Sequence, residues 1–328
     1  MRWFSRKKRV LPWRDIVQSD SDHRAYMILV SEVMLQQTQV SRVKIVFKDF
    51  LQRFPQIEDL ASASNREILL AWKGMGYNRR ALLLRDAARI ICEQHGGVFP
   101  REMDELRAIP GIGPYTAAAI RNFAFDLPTP CLDTNIRRIL HLVFVGPEEN
   151  DGAWMKSDRE LLILAQSILE QGLGVRRNRR IRNIELNRSS ESSVSSDSFI
   201  SRGPAAWHAA LMDFGSLVCT KRRPTCDACP LAAKGLCKSA GRVPASVAKK
   251  KSEPGRMVGS TFVPNRIFRG KVVEALREAK KGLTLDAIGK TVCLDWNPSQ
   301  HRAWLQRIVT RLAREKMLRE KKGTYVLG

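Results

Sequence analysis

The sequence has no uninterrupted apolar run long enough to cross a bilayer. Its opening residues, MRWFSRKKRV, lack the apolar centre of a secretory leader. A cytoplasmic location is therefore expected in a prokaryote and a nuclear one in a eukaryote. Alternating β-branched runs are scarce from Asp20 to Leu173, which argues against a sheet-built core. Acidic side chains are also in short supply: 33 Asp and Glu stand against 56 Lys and Arg, leaving a formal charge of +23. That excess goes beyond what solubility requires, and with no membrane-seeking segment the expected polyanion is nucleic acid.

Apolar residues recur at three- and four-residue spacing instead, the pattern of an all-α domain. Helices are expected over His23 to Thr38, Val43 to Phe54, Asn65 to Trp72, Arg79 to Glu93, Met103 to Ala108, Tyr115 to Phe125, Asn135 to Leu142, Ser157 to Leu173 and Pro204 to Val218. Residues 175–203 break the pattern with a basic run and a serine-rich tract, and a disordered insertion is expected there. These segments make a first domain over 1–240, followed by a basic linker over 241–260. A small unit over 261–328 then offers helices at Phe268 to Ala279, Leu283 to Val292 and His301 to Leu318, and a short terminal strand at Lys321 to Gly328. Three helices and a trailing strand suggest a winged helix, whose third helix enters the major groove of duplex DNA. A protein-docking module would share that shape.

Seven cysteines are present, and Cys219, Cys226, Cys229 and Cys237 crowd into a C-x6-C-x2-C-x7-C pattern. Four thiolates in so short a span point to a metal centre in a reducing compartment rather than a disulfide framework. No histidine lies within the set, and spacing alone leaves an iron–sulfur cluster and zinc both open. Lys221, Arg222 and Arg223 lie in the same loop, so a structural centre that orders a basic, phosphate-facing loop is the favoured role.

The segment IPGIGPYTAAAI, Ile109 to Ile120, reads as a glycine turn at Gly111 and Gly113 leading into a helix opened by Pro114. Backbone N–H groups at such a helix start make a phosphate site, although an ordinary helical corner would look the same. Glu32 sits within AYMILVSEVML, a helix apolar on every side, so burial should raise its pKa towards that of a general acid. Asp133 stands at the start of the next helix, where N–H groups favour its charged form. One neutral and one ionised carboxyl is the arrangement that cleavage of a glycosidic bond calls for. A structural acid and a simple helix cap are the plainer alternatives.

Together these stretches carry a resemblance. IPGIGPYTAAAI, CLDTNIRRIL (Cys131 to Leu140) and the four cysteines resemble the helix-hairpin-helix, catalytic aspartate segment and [4Fe–4S] loop of the endonuclease III superfamily of DNA glycosylases. Within it, LPWR (Leu11 to Arg14), SEVMLQQTQV (Ser31 to Val40), GMGYNRRALLL (Gly74 to Leu84) and HGGVFP (His95 to Pro100) are most similar to MutY-type adenine DNA glycosylases. The resemblance implies two helical subdomains, a [4Fe–4S] cluster on the four cysteines, and a monomer acting on double-stranded DNA with a mismatch or lesion. It implies that Glu32 protonates the departing base and that Asp133, supported by Asn135, stabilises the positive sugar. Tyr115 holds the position where bifunctional relatives carry a Schiff-base lysine, and Ile109 to Ile120 contains no lysine, so a monofunctional hydrolase is implied. Gln37 and Tyr77 would wedge into the duplex, Trp13 and Arg14 would hold the flipped base, and Gly111 and Gly113 would grip a phosphate.

Three departures bear on the substrate. The cysteine pattern ends in x7 where the family usually has x5. In AAWHAALMDFGSLVC, His208 and Ala209 stand where adenine-specific members place polar base-reading residues, so adenine reading would lose one polar contact or pass it to His208. The 91 residues after Cys237 are too few and too helical for the usual Nudix-like reader of 8-oxoguanine. Adenine opposite 8-oxoguanine or guanine is the expected target. Thymine or uracil opposite guanine is the alternative, and a non-catalytic DNA-binding protein is an alternative of another class.

Overall fold

A computed structural model describes residues 1–14, 20–147, 154–172, 203–242, 253–279 and 281–328. The chain divides into two units of interleaved segments: 1–15, 101–107 and 113–249 in the first, 16–100, 108–112 and 250–328 in the second. The insertion expected at 175–203 lies, but for Gly203, outside the described residues.

The first unit holds α1 (Arg2–Lys7), all but the last residue of α7 (Met103–Ala108), α8 (Pro114–Phe123), α9 (Thr134–Leu140), α10 (Asp158–Gly172) and α11 (Pro204–Leu217). One turn of wider helix, His141–Val145, prolongs α9. The apolar positions of these helices meet in a core of Ala118, Cys131, Ile136, Leu140, Leu161, Ala165 and Met212. A second cluster, Ile139, Val143, Phe214, Val218 and Cys229, joins α11 to the cysteine loop. Gly215 allows the closest approach, because a Cβ there would stand 2.6 Å from the Cβ of Asn135 on α9. Asp213, wholly buried on the same helix, accepts from Arg9 Nε at 2.6 Å and Arg14 Nη1 at 2.8 Å. Those two guanidinium groups hold the N-terminal segment onto α11.

The second unit opens with α2 (Ser21–Leu35), α3 (Val40–Arg53), α4 (Ile57–Ser62), α5 (Asn65–Ala71) and α6 (Arg79–His95). Tyr26, Leu29, Phe50, Leu60, Ile68, Trp72, Leu84 and Ile91 are fully buried among them. Helix α2 stops at Leu35 rather than at Thr38 because Arg80 takes over its carbonyls. Arg80 Nη1 donates to Val33 O at 2.7 Å, Met34 O at 3.1 Å and Gln36 O, and Gln37 turns left-handed at φ 55°. Helix α4 was not legible in the sequence. It spans only six residues and is fixed by a capping box between Gln56 and Asp59.

The C-terminal part of this unit begins with an antiparallel hairpin, β1 (Gly255–Val258) with β2 (Thr261–Pro264). The stretch expected as linker thus ends in paired strands, too short for alternation to reveal. Helices α12 (Asn265–Glu278), α13 (Leu285–Val292) and α14 (Pro298–Arg314) follow, packed through Phe268, Val272, Leu276, Ile288, Leu305 and Val309. The terminal strand has a partner: β3 (Leu318–Lys321) pairs with β4 (Thr324–Leu327) around Lys322 and Gly323, both at positive φ. This module packs on the helices of its own unit through Arg277. Its buried guanidinium donates to Leu69 O at 2.9 Å and Asn78 Oδ1 at 2.8 Å, and burial lowers its pKa. Asn65 Nδ2 adds a bond to Lys316 O at 2.9 Å.

Replacing Asp213 with Ala leaves Arg9 and Arg14 without their buried counter-charge. We expect a loss of about 3 kcal/mol in urea unfolding; a loss under about 1 kcal/mol would show that the pair does not anchor the segment.

Candidate functional site

Asp133 is the N-cap of α9. Its Oδ1 accepts from the Ile136 amide at 2.6 Å, and its Oδ2 accepts from Asn135 Nδ2 at 2.8 Å. Asn135 is itself held, since its Oδ1 accepts from Arg138 Nη2 at 2.9 Å. Arg138 is buried, and it also donates to Gly215 O at 2.6 Å and to Cys219 O at 2.7 Å. An unbroken line of hydrogen bonds therefore runs from the first cysteine of the loop to the carboxylate of Asp133. Arg138 was missed in the sequence, although its place on the apolar stripe of α9 beside Ile139 is the signal that marks it.

Tyr115 lies in the first turn of α8, half-buried against the core that contains Ala118, Cys131 and Ile136. Of the two hairpin glycines, Gly111 has φ +92° and needs to be glycine. Gly113 is extended backbone (φ −83°, ψ 175°), and a Cβ there would meet nothing within 4 Å. Its missing side chain leaves the start of α8 open, where no side chain caps the helix.

In the second unit, Glu32 is 7% exposed on α2 among Leu29, Val30, Val33 and Met34. Gln37 and Tyr77 line one groove of that unit, and both sit at positive φ, 55° and 45°. Such angles are uncommon outside glycine and asparagine and mark loops held in shape by their surroundings. The clamp is again Arg80, which donates to Thr38 Oγ1 at 2.9 Å and Gly76 O at 3.3 Å and lies 5.7 Å from the Tyr77 ring centroid. Burial lowers the Arg80 pKa to about 10.

The four cysteines line a single chamber together with Phe214, Val218, Leu142 and Ser239. The loop is pinned to the turn after α9, with Lys238 N donating to Val143 O at 3.1 Å and Ser239 N to Leu142 O at 3.2 Å. Among the described residues no ligand-ready group of three or more side chains is formed. Yet the Ser239 hydroxyl on the chamber wall is buried without a hydrogen-bond partner, and burial pushes Cys219 up to about 11 and Cys237 upward. Four thiols beside an unsatisfied hydroxyl are a soft donor set, of the kind that suits a thiolate-bound centre.

Residues 30–162 match the model of the HhH-GPD superfamily base excision DNA repair proteins. The adenine DNA glycosylase of Mycolicibacterium smegmatis is 33% identical over 282 residues, covering 86% of this chain and 80% of that protein. The chain belongs to the HhH-GPD superfamily. The adenine DNA glycosylase of Mus musculus is 35% identical over 74% of the chain, and the chain spans only 41% of that longer relative. Among solved structures, a thermostable thymine-DNA glycosylase superposes with a TM-score of 0.56 at 25% identity, over 74% of this chain and 93% of that one. A trapped endonuclease III–DNA covalent intermediate superposes at 0.51 and 19% identity, over 74% and 92%; at that identity it speaks for the fold alone.

Within this HhH-GPD chain, the residues named for base holding are placed as follows. Trp13 is 4% exposed, and Arg14 is engaged by Asp213. His208 is placed inside the first unit. It is 2% exposed, with Nδ1 2.8 Å from Pro204 O of its own helix, and it lines an apolar cavity of about 260 Å3 with Trp207, Leu211 and Leu140. Its surroundings offer an imidazole no polar base edge, and burial lowers its pKa to about 4.

That depression has a stability consequence with a definite sign. Unfolded His208 binds a proton near its ordinary 6.5 while the folded form refuses it until about 4. Stability is therefore fully present above pH 6.5 and declines as pH falls towards 4, by up to about 3 kcal/mol. In His208→Phe the slope of unfolding free energy against pH in that window should flatten; an unchanged slope would assign it elsewhere.

Proposed function

We propose that this protein is a monofunctional DNA glycosylase that hydrolyses the N-glycosidic bond of a mispaired adenine opposite 8-oxoguanine or guanine. The observation that carries the reading is Glu32, a carboxyl buried on the apolar second half of α2. A DNA-binding protein without catalysis has no use for it, whereas a leaving base needs a proton donor. Glu32 protonates the departing base and then assists the attacking water. Asp133, held by the Ile136 amide and Asn135, keeps its charge directed at the positive sugar of an oxocarbenium-like state. Tyr115 in place of a lysine leaves the hairpin without an amine for Schiff-base chemistry, so the product is an abasic site. The open start of α8 at Gly113 suits a DNA phosphate, and Gln37 and Tyr77 suit a wedge into the duplex.

Cys219, Cys226, Cys229 and Cys237 would hold a [4Fe–4S] cluster, with zinc as the alternative; bound there, it would supply structural order to the loop rather than electrons for the reaction. The exposed Lys221, Arg222 and Arg223 extend from that loop as phosphate contacts. A second reading, thymine removal opposite guanine, is supported by the similarity to the thymine-DNA glycosylase structure and by Ala209, which has no hydrogen bond to offer a base edge.

Alkali-induced strand cleavage on duplexes carrying one A•8-oxoguanine, A•G, T•G or U•G pair tests the function. Release from the two adenine duplexes is expected; release from T•G alone would select the second reading, and no release from any would refute a glycosylase. Glu32→Gln should lower single-turnover excision by at least about 100-fold while duplex binding persists, and full activity in that variant would remove Glu32 from the mechanism. Iron and sulfide content with broad visible absorption is expected of the purified protein; stoichiometric zinc would replace the cluster assignment.

A further inference from the structure

A groove of the second unit, about 790 Å3, runs between the loops that carry Gln37 and Tyr77 and the first half of α12. Arg79, Arg80, Arg266, Arg269, Lys271 and Arg311 line it. Only two carboxylates oppose them. Glu253 pairs with Arg266 at 2.9 Å, and Glu315 is shared by Arg269 and Arg311. The surplus of cations is thus built into the walls rather than neutralised within them.

Two of these guanidinium groups are incompletely used. Arg80 Nε and one terminal nitrogen of Arg269 are buried with no hydrogen-bond partner, and a buried donor left unmade is costly unless something supplies an acceptor. Tyr77 rises at the edge of the groove with 48% of its surface exposed, held at positive φ. Arg266, on α12, lines the same groove as Tyr77, and its charged form is favoured first by Glu253 and then by Tyr77. A row of cations with an exposed aromatic at its edge is the composition that binds a single nucleic-acid strand, through phosphates along the row and base stacking on the ring.

We propose that this groove holds the sugar–phosphate backbone of one DNA strand as it passes Tyr77, and that α12 makes the C-terminal module part of the DNA-binding surface. The inference rests on the DNA reading above and extends it to a segment the family match at residues 30–162 does not reach. It also centres the module's contact on α12, with the third helix contributing only its C-terminal Arg311. Arg302, on the first half of α14, does not line the groove, while Arg266 and Lys271 on α12 are both exposed and line it.

The test uses the full chain and a fully paired duplex, with binding followed by fluorescence anisotropy across a salt series. In the double variant Arg266→Ala/Lys271→Ala, both exposed sites that the fold does not need, the slope of log affinity against log salt should fall by about two, near 0.9 per lost phosphate contact. Affinity at moderate salt should weaken by about ten-fold or more. Excision at saturating duplex is measured alongside, so that loss of binding is told apart from loss of the glycosylase activity itself. Arg307→Ala, on the exposed side of α14, should leave slope and affinity unchanged. An unaltered slope in the double variant with normal excision would overturn this proposal alone. A larger loss in Arg307→Ala than in the double variant would also overturn it, returning the contact to the third helix. A wild-type protein that bound no duplex would overturn both this proposal and the glycosylase reading.

Discussion

The buried guanidinium of Arg138 is the constraint on which the first unit depends. Its Nε donates to the carbonyl of Cys219, its Nη2 to the carbonyl of Gly215 and the side-chain oxygen of Asn135, and its Nη1 to the carbonyl of Thr134. Those acceptors belong to the end of α11, the start of the cysteine loop and the first turn of α9. A charge so far from water persists only because every bond is made, and the same bonds fix where Asp133 points. Gly215 permits the arrangement, because any Cβ at that position would push α11 off α9. Structural order in the loop and orientation at the carboxylate are therefore one requirement.

Arg80 plays the matching part in the second unit. By collecting the carbonyls of Val33, Met34, Gln36 and Gly76, it ends α2 and holds two loops in left-handed conformations. Glu32 lies three residues before the end of the helix so trimmed. The two carboxylates thus sit in contrasting surroundings. Glu32 is buried on its helix, and Asp133 is supplied with an amide and a carboxamide donor. The proposed acid and charge-stabilising roles draw on that difference in placement.

Much of this was legible beforehand. The helical period placed most elements to within a few residues, because the core is built from helices that bury one stripe each. The candidate residues Glu32, Asp133 and the four cysteines stood out in the sequence because polar groups in apolar or closely spaced contexts are unusual. What escaped was short or cooperative: the six-residue α4, the β1–β2 hairpin, and the guanidinium clamps at Arg80 and Arg138. His208 escaped for another reason. Its position in the sequence offered a polar side chain, and the packing of α11 turned it into an apolar cavity.

The sequence by itself determined the all-helical character, the basic excess, the cysteine spacing and the missing lysine at Tyr115, since each is a local property of residue type and interval. Tertiary structure alone decided which arginines are spent inside the protein and which remain for a partner. It set Arg14 on Asp213, Arg138 on two carbonyls, and Arg266 and Lys271 on an open groove. The reason is that a guanidinium takes its role from acceptors distant in the chain, and only the folded packing brings them within reach.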